Sequence, residues 1–352
     1  MRKEFINMVK QELKDGFNCN LIYLSKSGSH LYKLNTPESD EDYVGVFIPD
    51  IAYYFGNKNI KIINSLSVKD KDKNGKNTAE AIDVTLYSIN EFIKLVSKCN
   101  PNIIELLYAN EEDILYIHET FQKVIDKRDM FLNKTYIDNA FYNYAISQKR
   151  KMFNKKINHK VLSFLKECLE KSDEDNLYNL FTPLSVSDTI IFDNKKYVVR
   201  YHYVIENSGD RFDVTIDDGK EITELIKFSA NDTIKTAIQK IENRIKMYGY
   251  RVNDDKTYDK KFASHTVRLL DEAIQLFETG KIMFPLQQHK AIMEIKIGEM
   301  LSKDVEEVID NMIIKFKYAK EHTELPNKTN PNLIDKFLIG LVYDYFKENK
   351  II

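Results

Sequence analysis

Residues 25–47 read Ser25-Lys26-Ser27-Gly28-Ser29-His30-Leu31-Tyr32-Lys33-Leu34-Asn35-Thr36-Pro37-Glu38-Ser39-Asp40-Glu41-Asp42-Tyr43-Val44-Gly45-Val46-Phe47. The apolar run before them, from Asn20, has the pattern of a short buried strand. Gly28-Ser29 ends it and opens a short helix, and Thr36-Pro37 marks a turn. From Asp40 to Ile48 the apolar residues concentrate at Val44, Val46 and Ile48, which is a second strand. Side chains at i and i+2 of a strand share a face, so Asp40 and Asp42 project side by side. Two unit charges ~4 Å apart repel by ~4 kcal/mol at an effective dielectric of ~20. Divalent cations remove that penalty, and paired carboxylates are the framework of two-metal phosphoryl and nucleotidyl transfer. Mg²⁺ suits such a pair, because it takes one or two carboxylates and completes its shell with water and substrate phosphates. Free N–H groups at the helix opened by Gly28-Ser29 are suited to phosphate. Asp83, on a third strand pattern at Ala81–Leu86, is the candidate third carboxylate.

Each part alone is weak. An Asp-x-Asp pair is most often a solvated strand end, and a lone Gly-Ser carries nothing. The composite of Gly-Ser, a gap of ten residues, Asp-x-Asp and an apolar strand points to a phosphate and metal site.

The rest of the chain bounds this reading. It has 352 residues, 43% hydrophobic and 30% charged, which is enough for a sizeable core. Only 11 glycines and 7 prolines predict long uninterrupted elements and much helix. Lys+Arg 52 against Asp+Glu 54 gives a net charge of −2. Nucleic-acid binding therefore needs a local patch rather than a basic protein. No two glycines are close enough for a GxGxxG turn or a GxxxxGK[ST] loop. His118-Glu119 starts like a zinc-protease motif, but Gln122 stands where the second histidine is needed. Cys19, Cys99 and Cys168 are scattered, so neither a disulfide scaffold nor a CxxC site is expected. The expected setting is cytoplasmic, with no membrane span and no signal peptide.

Helical periodicity covers residues 1–15. Ser88 caps a further helix with Glu91 completing a capping box, and Asn100-Pro101 starts another. The lysine-rich run at 69–77 is a loop. After about residue 130 the chain is mostly helical. A small antiparallel meander interrupts it at 186–217, with turns at Asp193-Asn194 and Ser208-Gly209-Asp210. Helices return at 232–249, 260–279 and 302–320. The expected class is α/β (α+β): a mixed sheet with flanking helices over 1–130, then a mostly helical domain over 131–352.

The Gly28-Ser29…Asp40-x-Asp42 segment resembles the nucleotidyltransferase superfamily of DNA polymerase beta. Within it, the segment is similar to the predicted nucleotidyltransferases of the RNA-repair-pathway group and their phage relatives. Further blocks match that group: Asp83 with the helix after it, Asn100-Pro101-Asn102 with Glu105, Phe141 to Lys151, Lys261 to Leu270 with Gly280, and Glu324 to Asn332. Lys33 stands where many relatives have glycine, and His30 where many have arginine. Residues 171–255 have no counterpart and read as an insertion.

The resemblance implies transfer of a nucleoside monophosphate from a nucleoside triphosphate to an acceptor hydroxyl, with release of pyrophosphate. Asp40, Asp42 and Asp83 would be the catalytic and metal-binding residues, holding Mg²⁺ or Mn²⁺. Gly28, Ser29 and His30 would contact the nucleotide. Lys261, His265 and Arg268 (i, i+4, i+7) share a helix face, as do Tyr144, Gln148 and Lys151. The resemblance makes Gln148, Lys151, Lys261, His265 and Arg268 nucleotide contacts; a salt-bridged or packed face is the alternative. The basic run at 149–160 offers a surface for an RNA acceptor. Two other readings stay open: a protein hydroxyl as acceptor, and a catalytically retired binding subunit of the same fold.

Overall fold

The computed structural model describes residues 2–64, 66–68, 70, 78–177, 188–192, 195–205, 209–217, 219, 222–249 and 258–351. Most of the lysine-rich run at 69–77, the Asp193-Asn194 turn and Ser208 of the next turn lie outside them. The chain forms two compact units. One comprises Met1–Ile146, Ser264–Glu294 and Glu307–Ile352; the other comprises Ser147–Ala263 and Ile295–Glu306. The sequence boundary at 130 falls inside the first unit.

The first unit begins with α1 (Arg2–Phe17), β1 (Asn20–Lys26), α2 (Gly28–Leu31), β2 (Glu41–Ile48), α3 (Ile51–Phe55), β3 (Ile62–Ile63), β4 (Ile82–Ser88) and α4 (Ile89–Val96). Next come α5 (Pro101–Ile104), a 3-10 turn at Glu105–Tyr108, β5 (Ile114–Ile117), α6 (Glu119–Asp126) and α7 (Lys134–Ile137). The five strands form one mixed sheet in the order β3-β4-β2-β1-β5. β2 and β4 run parallel, and the other neighbours are antiparallel. β1 is buried along its middle five residues, as expected of a strand covered on both faces. Val9 and Leu13 of α1 pack with Leu24, Phe47, Val84 and Leu86. Tyr23 stacks on Phe121 of α6 at 4.1 Å between ring centroids, and Phe92 of α4 meets Phe121 edge-on.

Helix α8 (Asn143–Glu170) carries the chain into the second unit. There β6 (Asp188–Phe192), β7 (Lys195–Val204), β8 (Arg211–Asp217) and β9 (Ile222–Ser229) form an antiparallel sheet in sequential order, followed by α9 (Ile234–Gly249). Phe212, Val214 and Ile216 alternate inward from β8 against Val161, Leu165 and Leu169 of α8 and Ala237 and Ile241 of α9. α10 (Lys260–Thr279), α11 (His289–Ile297), α12 (Ser302–His322) and α13 (Pro331–Glu348) complete the chain.

The expected class holds: a mixed sheet with flanking helices, then a mostly helical region with a small antiparallel sheet. Five local readings are corrected. The strand pattern at Ile60–Leu66 gives only the two residues of β3, and α11 was not anticipated. β5 is a four-residue edge strand with too few residues to show a period. The meander has a fourth strand, β9, because the buried Glu224 breaks its apolar alternation. That carboxylate accepts from Arg244 at 2.7 and 3.0 Å and from Asn158 at 3.3 Å, which meets the requirement that a buried charge be paired. The capping box is half formed. Ser88 Oγ accepts from the Glu91 N–H, but the Ser88 N–H goes to the Lys61 carbonyl and the Glu91 carboxylate to Lys94.

Candidate functional site

The parallel pairing of β2 and β4 sets Asp42 opposite Asp83. Asp40 lies two residues before Asp42, on the same side of the strand. One carboxylate oxygen from each of Asp40, Asp42 and Asp83 lies within 4.8 Å of the other two, and all three residues are half-buried. Three acids at that spacing, open enough to reach solvent, are the oxygen-only donor set that hard divalent cations take. The donor chemistry therefore fits Mg²⁺ or Mn²⁺.

Gly28 stands directly against this cluster. Its φ is +58°, in the left-handed region, and a β-carbon there would lie 2.4 Å from Asp42 Oδ2. The Ser27 N–H donates to the Asp42 carbonyl at 2.8 Å, tying the turn to the strand. Gly28 thus lets the turn and the acid approach each other. α2 is a single turn, and its cap residue Ser27 makes no side-chain cap bond. One turn sums few peptide dipoles. What it offers a phosphate is backbone N–H groups with Ser29 and His30, both half-buried. Gly28→Ala is expected to cost about 1–2 kcal/mol in stability from the left-handed backbone alone. It should also weaken divalent-cation binding at the cluster by displacing Asp42. Thermal melts beside a Mn²⁺ titration check both effects.

The turn is fixed from its far side as well. The Lys33 carbonyl accepts from His289 Nε2 at 2.7 Å, and the Lys33 ammonium sits 2.8 Å from Asp113 and 2.6 Å from Glu112. Lys33 has φ +60°, which explains a position where glycine would serve; here two ion pairs hold a strained lysine instead.

Arg268 does not join the cluster as a solvent-facing cation. It is 3% exposed. Its guanidinium donates to Glu105 at 3.1 Å, to Glu272 at 3.0 Å, to the Tyr32 hydroxyl at 2.8 Å and to Asn102 Oδ1 at 3.3 Å. It also lies 4.5 Å over the Tyr32 ring. The Tyr32 hydroxyl in turn donates to the Glu105 carboxylate at 2.8 Å, and the Tyr32 N–H donates to the Gly28 carbonyl at 3.2 Å. Arg268 therefore braces the turn that carries Gly28 and Ser29.

The other helical residues divide between environments. On α10, Lys261 is exposed and His265 half-buried; on α8, Gln148 is 4% exposed and Lys151 exposed. The structure brings Asp40, Asp42, Asp83, Gly28 and Ser29 together. Tyr32, Glu105 and Glu272 were missed. Glu272 had a signal, since it stands four residues after Arg268 on a helix stretch otherwise apolar at Val267, Leu269 and Leu270.

Two buried carboxyls share one guanidinium here. Burial pushes Glu105 up to about 7 and Glu272 up to about 8, against the pull of Arg268. Both acids thus hold a proton more tightly folded than unfolded. Stability falls as pH rises from the ordinary carboxylate range towards about 8, by up to ~1.4 kcal/mol per pH unit for each extra proton. Glu272→Gln removes one of these protons, so its stability curve should be flatter between pH 6 and 8 by denaturant unfolding.

With this geometry in view, the comparisons say what the chain is similar to. Residues 1–170 match the RNA repair pathway DNA polymerase beta family. The resemblance carried by Gly28-Ser29 and Asp40-x-Asp42 is borne out. The matched stretch contains Gly28, Asp40, Asp42 and Asp83. The chain is also similar to the uncharacterized 38.9 kDa protein in the nrdC-mobD intergenic region of Enterobacteria phage T4, 22% identical over 331 residues. That alignment covers 90% of this chain and 95% of the phage protein. No solved structure matches the chain. Among the described residues, no helix is long and apolar enough to cross a membrane.

Proposed function

We propose that the chain is a metal-dependent nucleotidyltransferase that moves a nucleoside monophosphate from a nucleoside triphosphate to a hydroxyl at an RNA end. The observation that carries this reading is the approach of Asp40, Asp42 and Asp83 within 4.8 Å of one another, with Gly28 against Asp42. The family match over residues 1–170 supports it.

Asp40, Asp42 and Asp83 would hold Mg²⁺ or Mn²⁺, which would supply charge neutralisation at the phosphates. The backbone N–H groups of the Gly28–Ser29 turn and the Ser29 hydroxyl bind the β and γ phosphates. Asp83 faces the attacking hydroxyl and takes up its proton. The acceptor oxygen forms a bond to the α-phosphorus, the bond from that phosphorus to the bridging oxygen breaks, and pyrophosphate leaves with the electron pair. Positioning and charge complementarity supply most of the rate gain in such a transfer. His265, Gln148, Lys151 and Lys261 remain proposed substrate contacts on α10 and α8, and the basic run at 149–160 a proposed RNA contact. Arg268 acts through Tyr32 rather than on phosphate.

The acceptor is tested by adding total RNA to purified protein with a labelled nucleoside triphosphate. Label entering RNA, and falling on protein as RNA is added, supports the reading. Label confined to protein moves the acceptor to a protein hydroxyl.

A further inference from the structure

Two cavities of the first unit adjoin at the far end of the sheet from the carboxylates. One, of about 480 Å³, is lined by Tyr53, Tyr54, Lys58, Lys61 and Ser88 among others. The second, of about 650 Å³, is lined by Lys98, Asn133, Tyr136 and Lys328 among others. They share Asn90 and Lys94 of α4, so together they form one groove. Ser88 closes β4 five residues after Asp83, which puts the groove about 17 Å along the strand from the cluster.

The groove's chemistry departs from that of the chain. The whole protein carries −2, whereas the groove lining holds five lysines (Lys58, Lys61, Lys94, Lys98 and Lys328) and two acids (Glu91 and Asp335). All five lysines are exposed. Only Lys94 is tied to a lining acid among the described residues, to Glu91 at 3.3 Å. Aromatic rings line the groove as well: half-buried Tyr53 in one cavity and Tyr136, 42% exposed, in the other. Asn57, Asn59, Asn90 and Asn133 add amide groups that donate and accept.

We infer that this groove binds a single-stranded nucleic acid, with phosphates on Lys58, Lys61, Lys98 and Lys328 and bases stacked on Tyr53 and Tyr136. A cationic track with open aromatic faces is the combination that such strands take without sequence preference. An acidic peptide would use the lysines but not the rings. The surface is separate from the basic run on α8. It holds the body of a strand, since the distance from the carboxylates keeps it off the reacting phosphate. The inference deepens the proposed function, resting on its nucleic-acid acceptor.

The test measures binding of fluorescein-labelled oligo(U) to the full chain by anisotropy over a salt series, with no nucleoside triphosphate present. Lys58→Gln/Lys61→Gln/Lys98→Gln/Lys328→Gln should weaken binding at least ~10-fold and lower the slope of log affinity against log salt by about 3, at ~0.7 per lost phosphate contact. Tyr136→Ala should weaken binding about 5-fold or more with the slope unchanged, because stacking releases no counterions. Wild-type affinity and slope in both variants would overturn the inference. So would loss confined to Lys149→Gln/Lys151→Gln. Polyglutamate displacing the strand while Tyr136→Ala binds normally would instead mark an acidic-protein surface and overturn it too. The readout needs no catalysis, so the groove and the transferase reading fail separately. A chain that binds the strand through this groove but incorporates no label loses only the latter.

Discussion

Asp40→Asn combined with Asp42→Asn should lower nucleotidyl transfer by about 1000-fold or more, while the chain stays folded. The loss follows from taking away two of the three carboxylates that meet within 4.8 Å. Removing a single electrostatic contact from a transition state already costs ~100–1000-fold. Folding should move the other way. Without a cation the three acids repel one another, so in chelator the double variant should melt at the same temperature as the wild type or slightly higher. Added Mg²⁺ should raise the wild-type melting temperature more than the variant's, since a ligand stabilises only the state that binds it. A variant that transfers at the wild-type rate would remove the cluster from the chemistry. The pairing of lost activity with unchanged or improved stability separates a functional cluster from a structural one.

Arg268→Met should destabilise the chain by about 3–5 kcal/mol, the range for breaking a buried ion pair by deleting one partner. For a unit of this size that corresponds to a fall in melting temperature of roughly 6–20 °C. Glu105 and Glu272, at 2% and 0% side-chain exposure, would lose their counter-charge, and Tyr32 a donor. Both acids would stay protonated to a higher pH, so the deficit should shrink in acid and grow above neutrality. Replacing the acids at the same time, as Arg268→Met/Glu105→Gln/Glu272→Gln, should recover much of the loss, because a buried ionic group exchanged whole for neutral residues is often close to neutral. Denaturant midpoints of the two variants at pH 6 and 8 check both statements. A wild-type midpoint for Arg268→Met would mean that the guanidinium is not held as described.

The site was legible in the sequence where local rules suffice. Gly28, Asp40 and Asp42 lie within one strand-turn-strand segment, and period-two alternation alone puts the two acids on one face. Asp83 required knowing which strand pairs with β2; its placement rested on a pattern at Ala81–Leu86 that the structure confirms as β4 in parallel register. The role of Arg268 was not legible. Its spacing from Lys261 and His265 is that of a shared face, yet seven positions on a helix advance about 10 Å, enough to pass from solvent into a core. What decides its environment is Tyr32 and Glu105, 236 and 163 residues away. The groove was equally hidden, because its lysines come from α4 and the turn after it, from the segment before β3 and from the turn before α13. β9 shows the same limit at a smaller scale: a buried Glu224 reads as exposed until Arg244 is placed beside it.

The most direct measurement incubates purified chain with each α-³²P-labelled nucleoside triphosphate and total RNA, with Mg²⁺, Mn²⁺ or EDTA. The proposed function predicts label in RNA for at least one nucleotide, with pyrophosphate released in equal amount, and none of either in EDTA. No label with any nucleotide in either metal, or label that persists undiminished in EDTA, would contradict it.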